Sequence, residues 1–144
     1  MHGYSFSVLA VLLPALLAGL PVELLAAPVQ LDCRYPQVAD PREGLRDARD
    51  PLSFRFTIDK QADTASMTSG DFSTDLELRF SQRHLTLFQT TGSDALNVTV
   101  IVFEAFDDSD LFRSVHSRHA MIGSLGELRA SQHYGRCVPV GDQE

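Results

Sequence analysis

From Leu52 to Asp59 apolar and polar residues alternate: Leu52, Phe54, Phe56 and Ile58 against Ser53, Arg55, Thr57 and Asp59. A period of two marks a half-buried strand with one face in a core and one in water. The same alternation returns between Asp71 and Phe80, where Leu76, Leu78 and Phe80 interleave with Asp75, Glu77 and Arg79. Leu85 and Leu87 share a face beyond a turn at 81–83, and Ala65–Ser69 is a weaker strand. Leu96–Phe106 is apolar on both faces, with Leu96, Val98, Val100 and Val102 on one and Ile101, Phe103 and Ala105 on the other. That pattern predicts a central strand or one bridging two layers.

Other segments read from their breakers. Leu31–Tyr35 predicts a first strand and Tyr134–Val138 a last one. Pro36–Pro51, rich in proline and charge, predicts a solvated loop with at most one helical turn near Leu45–Ala48. Residues 111–115 predict a further strand. In 118–131, Met121, Leu125 and Leu128 have helical spacing, but Gly123 and Gly126 would each cost a helix about 1 kcal/mol. Two short strands, or a strand and a turn, fit better. The resulting expectation is an all-β fold, a small antiparallel barrel or sandwich of roughly seven to nine strands.

The N-terminus does not belong to this pattern. Val8–Leu13 continues past Pro14 as an apolar run to Ala18, then Gly19 and Pro21 break it. Such a run followed by breakers resembles a secretory signal more than a membrane span, which needs about 20 apolar residues. Residues 1–26 are therefore expected to be a signal peptide and 27–144 one exported β-domain, periplasmic or secreted, with no stable membrane anchor after cleavage. In that compartment the only two cysteines, Cys33 and Cys137, predict one disulfide. It would make the first and last strands neighbours.

Charge narrows the partners. Nineteen acidic residues face twelve basic ones, a net charge of −7, and eleven of the twelve are arginine. With no basic run, nucleic acid is not an expected partner. An unidentified protein or small ligand is.

Candidate chemistry is sparse. His116 and His119, with His133 beyond, would diverge on a strand and lack a full ligand set, so surface histidines and no metal are expected. Asp107, Asp108 and Asp110 lack the EF-hand pattern and read as a turn. Asn97-Val98-Thr99 matches the glycosylation sequon but lies inside a hydrophobic strand. No nucleophile elbow, phosphate loop or paired carboxylates stand out. No cofactor and no catalytic residue is expected.

Two resemblances add to this. Cys33, Arg118, Gly123 or Gly126, Leu125–Leu128 and the closing Gly135-Arg136-Cys137 resemble a loose class of small exported bacterial β-proteins of unknown function. Ser69-Gly70-Asp71-Phe72 is similar to the Ser-Gly-x-x-Tyr inhibitory loop of periplasmic C-type lysozyme inhibitors, with the aromatic one position early and no hydroxyl. That second resemblance implies an interaction loop at Ser69, Gly70, Asp71 and Phe72. The leading expectation is a non-enzymatic binding module, with a hydrolase inhibitor and a metal-assisted enzyme as alternatives.

Overall fold

The computed structural model describes residues 27–92, 95–103, 111–122 and 126–141. The expected signal peptide and the Asp107–Asp110 segment lie outside these residues. The strands are β1 (Val29–Asp40), β2 (Gly44–Asp59), β3 (Thr64–Ser69), β4 (Phe72–Phe80), β5 (His84–Thr91), β6 (Ala95–Val102), β7 (Phe112–Ile122) and β8 (Glu127–Pro139). Each pairs antiparallel with the next, and β8 returns to β1, so the sheet closes into an up-and-down barrel. Closure pairs the first strand with the last, so neither is left as the edge of an open sheet. Within 118–131, β7 runs to Ile122 and β8 starts at Glu127, directly after Gly126 at φ 67°, so strands and not a helix occupy the described residues.

The alternating residues fill the interior. Leu31, Phe56, Ile58, Ala65, Met67, Leu78, Leu85, Leu87 and Ile101 form a buried cluster with Cys33 and Cys137. Cys33 and Cys137 are directly opposed across the β1–β8 seam and joined by a disulfide. A disulfide suggests a location outside the reducing cytoplasm. Among the described residues no helix is long and apolar enough to cross a membrane.

Three expectations need correction. Pro36–Pro51 is not a loop: β1 runs to Asp40, turns over three residues, and β2 starts at Gly44. Nearly all of it is exposed, so no buried face imposed an alternating pattern. The hairpin is held at its tip, where Asp40 Oδ1 accepts the backbone N–H groups of Arg42 and Glu43 at 2.9 and 3.0 Å, and Arg46 bridges Asp40 and Glu43. Pro36 is tolerated because the ladder shifts register there, between Tyr35 and Gln37. Second, β6 buries Thr99 and Ile101, so its apolar row Leu96, Val98, Val100 and Val102 lies on the outer wall. Third, His116 is not a surface residue but a buried one.

Gly135 explains how β1 bends. A Cβ there would collide with the Arg34 carbonyl, which occupies the space a side chain would need. Only glycine lets the β1 backbone dip against β8 at the register shift. The dip places Tyr35 wholly inside, where its hydroxyl and that of Ser114 share a 2.8 Å hydrogen bond.

Candidate functional site

Eight strands enclose an interior that side chains can fill or that can hold one small ligand. Here side chains fill one end, and a cavity opens at the other. The turns after β1, β3, β5 and β7 share one rim of the barrel, and toward this rim the inward residues change from apolar to polar. Ile101 gives way to Thr99 and Asn97 along β6, Leu87 to Gln89 along β5, and Phe112 to Ser114, His116 and Arg118 along β7. A cavity of about 380 Å³ opens here. Leu52, Phe54, Met67 and Phe72 line one side, and Gln89, Asn97, His116 and Arg118 another.

His116 forms the floor. It is 3 % exposed, and its Nδ1 lies 2.8 Å from Thr99 Oγ1, with the donor set by the ring tautomer. Its ring packs against Phe54 at 4.9 Å, Tyr35 at 5.9 Å and His133 at 6.1 Å between centroids. Burial pushes its pKa down to about 4, and the charges of His133 and Arg118 act in the same direction. His133 is also lowered, by burial first and then by Arg118 and Arg46. Its Nε2 lies 3.3 Å from Ser131 Oγ, while its buried Nδ1 has no hydrogen-bond partner among the described residues.

Asn97 sits on the cavity wall, donating from Nδ2 to Gln89 Oε1 at 2.8 Å and to Thr91 Oγ1 at 3.4 Å. Its amide is committed inside the barrel, which fits the reading of the sequon as coincidental. His116 and His119 point to opposite faces, as a strand requires. Among the described residues no group of three or more His, Cys, Asp or Glu side chains could hold a metal ion.

Of the residues singled out in the interaction loop, Ser69 and Phe72 line the cavity. Gly70 makes the β3–β4 turn at φ 58°, and Asp71 stands exposed beside it. Phe72 is 53 % exposed, an aromatic ring at the rim of a concave site.

No protein-family model, curated protein sequence or solved structure matches this chain. Gln89, Asn97, Thr99, His116 and Arg118 are not legible as a group in the sequence, because they come from three strands. The available signal was the row of polar residues that interrupts the inward alternation of β5, β6 and β7.

Among the described residues no carboxylate lines the cavity, and the hydrogen-bond partner of His116 there is the Thr99 hydroxyl. A histidine with a pKa near 4 is also a weak base at neutral pH.

Proposed function

We propose that this protein is an exported, non-enzymatic binding module that holds a small amphipathic ligand in the rim cavity of its barrel. The observation behind this is the cavity's division into an apolar, aromatic side and a polar side with Arg118. Ligand sites combine apolar walls with a few convergent polar groups, and about 300–1,000 Å³ is their usual size. The ligand's apolar body would lie against Leu52, Phe54 and Phe72, and a hydrogen-bond acceptor or anion would meet Asn97 and Arg118. The outer wall carries ion pairs such as Asp32–Arg55 and Glu77–Arg79 while the core is apolar, the reverse of a membrane barrel. This supports a protein that works in the aqueous phase.

The test uses 1-anilinonaphthalene-8-sulfonate, an aromatic body with one anionic group. It should bind one per protein with enhanced, blue-shifted emission while near-UV dichroism shows native packing. Phe72→Ala and Arg118→Gln should each weaken binding by about ten-fold, the loss expected for a buried anchor. Binding of equal strength by both variants would exclude the rim cavity as the site.

A second reading, inhibition of a secreted hydrolase, draws support from Phe72 projecting beside the Gly70 turn. An acidic chain also suits a basic enzyme as partner. The expected result is loss of C-type lysozyme activity on mixing, relieved by Phe72→Ala. Full lysozyme activity at about 100 μM protein, far above the Kd of a specific inhibitor, removes this reading.

A further inference from the structure

The outer wall carries a feature that the rim cavity does not explain. Arg136 on β8 is directly opposite Arg34 on β1 and, on its other side, directly opposite Arg113 on β7. Three neighbouring strands thus present arginine at one level. Like charges facing each other across strands are destabilising. An acidic chain with only twelve basic residues has nevertheless placed three of them side by side.

The surroundings concentrate this charge. All three arginines, with Arg55, line a groove of about 1,130 Å³ on the outer wall. Among the described residues Asp32 is the only carboxylate in its lining. It is already engaged, accepting from Arg55 Nε and Nη2 at 2.7 and 2.8 Å. Among the described residues Arg34 and Arg136 form no ion pair. Directly beneath them the Cys33–Cys137 bridge fixes the two strands together, so the spacing of the two guanidinium stems is set by the covalent frame. The groove shares Phe54 and Ser69 with the lining of the rim cavity but opens on the opposite face of the sheet.

We propose that the Arg34–Arg136 pair, with Arg113 beside it at the same level, is a binding site for a soluble oligoanion, a small molecule with at least two phosphoryl or carboxylate groups. Paired cross-strand residues stand about 5 Å apart, so one anionic group can be held by each of two neighbouring arginines. Guanidinium forks match both carboxylate and phosphate oxygens bidentately, which an ammonium does not. A ligand with a single anionic group would engage one arginine of the Arg34–Arg136 pair and leave the other unneutralised. The site therefore selects for multivalent anions.

Calorimetric titration at low salt with tripolyphosphate and citrate, with orthophosphate as the monovalent comparison, tests this. At least one of the two oligoanions should bind at least about ten-fold more tightly than orthophosphate, and its affinity should fall with added salt. Citrate alone would mark a carboxylate site and tripolyphosphate alone a phosphoryl site. Arg34→Gln and Arg136→Gln should each weaken binding about five-fold or more, while Lys60→Gln and Phe72→Ala leave it unchanged. The unfolding midpoint of both arginine variants without ligand should equal or exceed that of the parent, because a repulsion has been removed. The proposal is overturned if neither oligoanion exceeds orthophosphate, or if Lys60→Gln weakens binding as much as the arginine variants do.

Discussion

Reduction of the Cys33–Cys137 bridge is expected to lower the thermal unfolding midpoint by about 15 °C or more. The two cysteines are 104 residues apart, so the bridge closes a loop that spans almost the whole barrel. In the chain-entropy account, opening a loop of about 100 residues removes roughly 4–5 kcal/mol of stability. The location adds to the effect. β1 and β8 are the first and last strands of the barrel, and their ladder is interrupted between Arg34 and Gln37. Without the bridge, this interrupted ladder alone closes the barrel. Calorimetry with and without a reductant, repeated on Cys33→Ala/Cys137→Ala, provides the measurement. A change under about 3 °C would mean that the backbone seam alone closes the barrel.

Acidification should destabilise the fold well before its carboxylates protonate. His116 has a pKa pushed down to about 4 in the native state, by burial first and then by His133 and Arg118. In the unfolded chain the same ring titrates near 6.5. Between these values the unfolded chain binds a proton that the folded chain refuses. His116 therefore contributes stability that is fully present above about pH 6.5 and is lost as pH falls toward 4. The loss is on the order of 3 kcal/mol, and the lowered pKa of His133 acts in the same direction. Urea midpoints measured between pH 7.5 and 4 should fall steeply for the parent. They should fall less for His116→Gln, which retains a hydrogen-bonding group for Thr99. A His116 ring whose NMR titration centres near 6.5 would show that it is not buried as described.

These two groups illustrate how far the sequence could be read. Cys33 and Cys137 were legible because compartment and count leave one pairing. β2, β4 and β5 were legible because each has one face in the core, and burial writes a period of two into the residues. The hairpin of β1 and β2 was not, because neither face of residues 41–51 is deeply buried and a solvated strand has no such period. His116 was misread for a related reason. The strand predicted at 111–115 stops one residue short of it, and only barrel closure shows that the face it occupies is the interior.

The candidate sites were less legible still. Ser69 and Phe72 were marked by a local motif, and the fold does place them on the rim cavity. Gln89, Asn97, His116 and Arg118 are spread over some thirty positions, and the ladder pairings of β5, β6 and β7 bring them together. The arginine row is the extreme case. Arg34, Arg113 and Arg136 are far apart in sequence and adjacent only because β8 pairs with both β7 and β1.

The sequence by itself determined the all-β class, the strand faces wherever a core imposes alternation, and the covalent joining of the two ends of the domain. Each follows from short-range periodicity or from residue count. Tertiary structure decided the closed barrel over a sandwich, the polar lining of its rim, and the alignment of arginines on its outer wall. These depend on strand register and on which strand closes against which. Long-range pairing sets both, and they leave no mark in any local stretch of sequence.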